Sequence, residues 1–132
     1  MLQAALRLGD PFATYRSIDL AGRTGGADPH QLVALLYEEC VRALRTAAWA
    51  AEQQRFAVRS ERVSRATAVL FALEAGLDFD KGGELSRTLA TLYHGLRNQI
   101  LQASLGSDPQ PFRDAADTLE DVAGAWQSVR AA

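Results

Sequence analysis

At 132 residues the chain has the size of one domain, long enough for a helical bundle to bury a core without disulfide or metal staples. Its 14 basic and 16 acidic side chains leave a net charge of −2, which argues against a nucleic-acid partner, because phosphate binding draws on an excess of cations. Cys40 is the single cysteine, which excludes an intrachain disulfide and a cysteine metal cluster and reads as a small core or boundary residue.

No basic stretch followed by a long apolar run opens the chain, so no secretion signal is expected. No apolar run approaches the ~18 residues that a membrane-spanning helix needs. The expected location is the cytoplasm.

Residues 1–27 read as an irregular arm with room for one short helix around Leu2, Leu6 and Leu8. Pro11, Gly22, Gly25 and Gly26 interrupt regular structure. The arm carries Phe12, Tyr15, Ile18 and Leu20, and two readings stand side by side: an arm folded back over a groove, or a disordered tail. Residues 28–132 read as one all-α domain. Asp28 is suited to cap a first helix, with Pro29 in its first turn and Gln31 completing a capping box. Leu32, Leu36, Ala43, Leu44, Ala47 and Ala51 recur at helical spacing to about Gln54. A second helix is expected from Phe56 or Ser60 to Leu77, burying Val63, Ala66, Leu70, Leu73 and Leu77. After a tight acidic turn through Gly82-Gly83, a third should run from about Gly83 to Ser104 on Leu85, Leu89, Leu92, Leu96, Ile100 and Ala103. Asp108 caps the fourth, with Pro109 and Pro111 in its first turn. Phe112, Ala115, Leu119, Val122, Ala123, Trp126 and Val129 form its inner face. Four long helices with short connections predict an antiparallel four-helix bundle.

The residues set up no chemistry. A carboxylate metal bundle needs Glu-x-x-His pairs, but Ala27 and Thr91 stand three residues before His30 and His94. Phosphate-loop and nucleophile-elbow motifs do not occur, and Gly82-Gly83 lacks the following Lys-Ser/Thr of a phosphate loop. No enzyme activity, metal or cofactor is expected. The arginines at 42, 45, 55, 59, 62 and 65 read as a solvated face. One chemical alternative is kept: His94-Gly95-Leu96-Arg97-Asn98 loosely resembles a histidine phosphotransfer site, with Arg97 placed to neutralise a phosphoryl group on His94.

The apolar stripes are wider than a simple bundle requires. Val33, Tyr37 and Val41 lie beside the first helix's stripe. Leu92, Tyr93 and Leu101 widen that of the third. Either these helices are covered on several sides, or they leave an apolar groove for a partner helix.

Taken in order, these residues resemble the flagellar secretion chaperone family FliS. Leu77-Asp78-Phe79-Asp80-Lys81-Gly82-Gly83-Glu84-Leu85 resembles that family's Leu-Asp-x-x-x-Gly-Gly-Glu-Ile/Leu turn, and Leu89 and Leu92-Tyr93 follow at its distance. Upstream, Asp28-Pro29-His30-Gln31-Leu32 and Leu35-Leu36-Tyr37-Glu38 resemble its first helix. Downstream, Leu119 and Ala125-Trp126 resemble its close. The resemblance implies a cytoplasmic chaperone that binds the disordered C-terminal segment of flagellin, prevents premature polymerisation and delivers flagellin to a component of the flagellar type III export gate. On this reading Val33, Leu36, Tyr37 and Val41 of the first helix, with Leu89, Tyr93, Leu96 and Ile100 of the third, hold the flagellin tail. Tyr15, Ile18 and Leu20 cover the groove beforehand. Leu70, Leu73, Leu119 and Trp126 are assigned to the core. An unfilled groove also admits weak self-association.

Overall fold

The computed structural model describes residues 28–131; the expectations placed on residues 1–27, including Tyr15, Ile18 and Leu20, lie outside them. The described residues form four helices: α1 (Pro29–Glu52), α2 (Phe56–Ala75), α3 (Phe79–Ser104) and α4 (Gln110–Ala131). The all-α expectation and the helix order hold, with ends within a few residues of those read from the sequence except at the start of α3.

The helix ends follow from their capping residues. Asp28 Oδ1 accepts the Gln31 N–H at 2.8 Å, and Pro29 occupies the first turn, where its missing N–H costs nothing. Gly76 ends α2. Asp108 Oδ1 accepts the Gln110 N–H at 2.9 Å as α4 begins. The turn between α2 and α3 departs from expectation. Asp78 caps one helical turn through the Lys81 N–H at 2.9 Å, and Gly83 (φ 53°, ψ −126°) then kinks the chain inside α3. Buried Ser86 holds the kink by donating its hydroxyl to the Asp78 carbonyl at 2.8 Å. Residues 79–82, read as part of a tight turn, are thus the first turn of the helix.

A Cβ at Gly83 would meet nothing within 4 Å, so only the backbone objects to a side chain there. Gly83→Ala is expected to cost about 1–3 kcal/mol of strain. Gly124→Ala, at an exposed and sterically open position of α4, is expected to stabilise by about 0.5–1 kcal/mol. Urea unfolding of the two variants should shift in opposite directions.

Alanine governs which helices pack most extensively. Ala43, Ala47, Ala50 and Ala51 of α1, Ala66 of α2, and Ala115 and Ala116 of α4 are all buried, and small side chains let helix axes approach. α1 accordingly packs extensively along α2 and α4, whereas α3, with Leu89, Tyr93, Leu96 and Ile100 inward, closes the bundle through sparser contacts with α2 and α4. α1 and α3 lie across the diagonal. Val129, expected on the inner face of α4, is 43% exposed, because it lies beyond Trp126, the last core residue of that helix.

Candidate partner-binding surface

Most side chains expected to line an open groove are in the core. Val33, Leu36, Tyr37, Leu89, Tyr93, Leu96 and Ile100 are buried, Leu89 being the least covered at 9% exposure. The expectation of an uncovered furrow along these residues is therefore corrected for this structure. The reason is the central position of α1. With α2 and α4 on either side and Tyr93 of α3 reaching it across the diagonal, its second apolar stripe is covered as fully as the first. Val41 alone of the eight is half-buried. It lines a shallow cleft of about 380 Å³ between α1 and α4 with Ala34, Glu38, Glu120, Ala123 and Gln127. Leu70, Leu73, Leu119 and Trp126 are buried as expected.

The buried aromatics form one connected group. The Tyr37 and Tyr93 hydroxyls share a 2.6 Å hydrogen bond. Trp126 meets Tyr37 edge-on at 6.3 Å and stacks on His30 at 4.5 Å between ring centroids. His30 and Trp126 also exchange hydrogen bonds. The indole N–H donates to the His30 carbonyl at 2.8 Å, and His30 Nε2 lies 2.9 Å from the Trp126 carbonyl. A carbonyl oxygen only accepts, so Nε2 carries the proton. This clasp ties the start of α1 to the end of α4.

Burial pushes the Tyr37 hydroxyl up to about 12, although the bond from Tyr93 works in the opposite direction. An unfolded tyrosine ionises near 10. Between those values the unfolded chain has lost a proton that the folded chain keeps, so stability falls as pH rises. The expected loss attributable to Tyr37 is about 2–3 kcal/mol from pH 10 to 12, absent below pH 10. Urea midpoints of wild type and Tyr37→Phe across that range measure it as the difference between their slopes. Burial, reinforced by the Glu39 charge, likewise pushes the Cys40 thiol up. A neutral, buried thiol is a poor nucleophile.

What stays exposed lies elsewhere. Phe71 on α2, Leu101 on α3 and Leu105 just past its end are exposed, as are Trp49 at the end of α1 and Phe56 at the start of α2. Leu101 belongs to the widened stripe read from the sequence. Trp49, Phe56, Phe71 and Leu105 were not singled out, although their positions off the core stripes of their own helices were available as a signal. The arginines are less free than a solvated face suggests. Arg42 pairs with Glu38, Arg45 with Asp117 and Glu120, Arg62 with Glu61, and Arg65 with Glu39. The exposed pairs, Arg42–Glu38 and Arg45 with Asp117 and Glu120, contribute little to stability, whereas Arg65–Glu39 is partly buried.

His94 is exposed, as a phosphotransfer site requires, but Arg97 is committed. Its guanidinium pairs with Glu74 at 2.7 Å, stacks 4.0 Å over Phe71 and donates to His94 Nδ1 at 3.2 Å. A group already neutralised by a carboxylate offers little to a phosphoryl group. No cluster of histidine, cysteine or acidic side chains able to hold a metal occurs among the described residues. No helix among them is long and apolar enough to cross a membrane.

Comparison with known proteins bears on a helical bundle of this kind. The family model described as flagellar protein FliS matches residues 12–132. The chain belongs to the FliS family. It is 32% identical over 116 residues to the flagellar secretion chaperone FliS of Salmonella typhimurium, covering 87% of this chain and 86% of that protein. It is 27% identical over 115 residues to the flagellar secretion chaperone FliS of Vibrio cholerae, covering 87% and 85%. The flagellar secretion chaperone FliSB of Pseudomonas aeruginosa is 24% identical over 115 residues, covering 87% and 91%. Family membership gives the phosphotransfer reading of His94 no support.

Proposed function

We propose that this protein is a flagellar export chaperone that holds the C-terminal segment of flagellin, keeps it from polymerising early and passes it to the flagellar type III export apparatus. The observation that carries the reading is alignment along most of the chain with proteins called flagellar secretion chaperones. The physical chemistry agrees. A segment that is disordered when free loses conformational entropy on docking, and affinity must then come from a long apolar contact. The activity is binding itself, with no catalytic step, metal or nucleotide, and the proposed location is the cytoplasm.

In this reading Val41 keeps its assigned role as a contact. The buried residues of the earlier set, Tyr37, Tyr93 and Ile100 among them, act through the scaffold that carries the surface. Tyr15, Ile18 and Leu20 are proposed to shield apolar surface until the cargo arrives. Weak self-association is a further consequence of that surface, measurable by sedimentation at increasing concentration.

Co-expression with flagellin tests the reading. Full-length flagellin should co-purify with the chaperone in a soluble complex, and flagellin lacking its C-terminal segment should not. Equal recovery of both would contradict it.

A further inference from the structure

We infer that the seam between α2 and α3, continued onto the bundle end where α1 meets α2, is a docking track for an acidic amphipathic helix of the secreted cargo. The inference rests on the chaperone reading and gives it a place on the molecule.

Five of the eight large apolar side chains exposed among the described residues lie on this track, so the apolar surface is concentrated there. Leu101 of α3 (50% exposed) and Leu105 at its C-terminal cap (82%) continue the helix face of Arg97 at intervals of four residues. Arg97 leans over Phe71 of α2 at 4.0 Å. At the other end Arg59 covers the Phe56 ring at 5.0 Å while donating to the Ser104 and Gly106 carbonyls at 3.2 and 2.8 Å, on either side of Leu105. Arg55 then covers Trp49 at 5.3 Å. The rings and leucines are thereby joined into one path. Phe56 and Phe71 are about 22 Å apart along α2 at 1.5 Å per residue, the length of about four turns of a docked helix.

Charge selects the occupant. Each exposed ring on the track lies under a guanidinium, and neither Arg55 nor Arg59 has a carboxylate partner among the described residues. Of the arginines away from the track, Arg42, Arg45, Arg62, Arg65 and Arg113 each have one, and Arg87 has none among the described residues. A helix with apolar residues along one face and carboxylates at its margin would fill the leucines and rings and complete those two cations. An anionic membrane fits less well. A flat surface meeting this end of the bundle would reach Trp49, Phe56 and Leu105 but not Phe71, about 22 Å further along α2, whereas a helix lying along the seam meets both.

The test uses the full chain and a fluorescently labelled C-terminal segment of flagellin, followed by anisotropy. Leu101→Ser combined with Leu105→Ser is expected to weaken binding about tenfold or more, with helicity unchanged because both residues are exposed. Arg55→Gln is expected to weaken it about two- to fivefold and to flatten its salt dependence. Val129→Ser, exposed near the end of α4, serves as control and should change nothing. If wild type binds and the seam variants bind equally well, the track is wrong while the chaperone reading survives. If wild type does not bind the segment, both fall. The inference is also overturned if the seam variants lose binding only to phosphatidylglycerol vesicles, or lose only self-association, with peptide affinity intact.

Discussion

Trp126→Ala is expected to lower the unfolding free energy by about 3–5 kcal/mol, the usual range for deleting a buried indole. The side chain is 2% exposed. It packs face-to-face on His30 and edge-on to Tyr37, and its N–H satisfies the His30 carbonyl. Its loss leaves a cavity and removes the indole hydrogen bond at the junction of the first and last helices. Trp126→Phe, which keeps an aromatic ring and loses the donor, should cost less, about 1–3 kcal/mol. Urea denaturation followed by circular dichroism measures both. A loss under about 1 kcal/mol for the alanine variant would mean that the clasp does not form in solution.

Ile100→Asp is expected to abolish cooperative folding at room temperature. Ile100 is fully buried, and an unpaired carboxylate in an apolar core is among the few single changes that cost more than about 4–5 kcal/mol. A domain of this size has only about 5–15 kcal/mol to lose. Leu101→Asp, one residue further on, should leave stability within about 0.5 kcal/mol, as expected for an exposed position. The pair separates two accounts of α3. If Ile100 lined an open groove, Ile100→Asp would keep its helicity and lose only partner affinity. In the core, it loses the fold. Far-ultraviolet circular dichroism of the two variants decides between them.

The adjacent residues Ile100 and Leu101 mark what could be read before the structure and what could not. Helix ends were legible because Asp28, Gly76 and Asp108 act locally, within four residues of the backbone groups they satisfy. The core faces of α1 and α2 were legible because apolar spacing reports burial wherever a helix has one covered side. The width of a stripe does not report how many neighbours cover it. Tyr37 and Val41 are one turn apart and equally apolar in pattern, yet Tyr37 is sealed and Val41 faces a cleft. The difference comes from Tyr93, 56 residues away, whose hydroxyl meets that of Tyr37, and from Trp126. Such pairings depend on the arrangement of helices around the bundle. The start of α3 was misplaced for a related reason. A glycine pair suggests a tight turn, and only the capping by Asp78 and the tether from Ser86 turn residues 79–82 into a helical turn. Along the exposed track, the rings of Phe56 and Phe71 lie off the core stripes, where apolar spacing carries no signal of what they meet. The arginines that cover them were visible only as a charge cluster.

The most direct measurement is titration calorimetry of the full chain with the C-terminal segment of flagellin at several temperatures. The account predicts saturable one-to-one binding with a negative heat-capacity change, the mark of apolar surface buried as a disordered segment orders. The absence of binding, or equal binding of a flagellin segment lacking that tail, would contradict it.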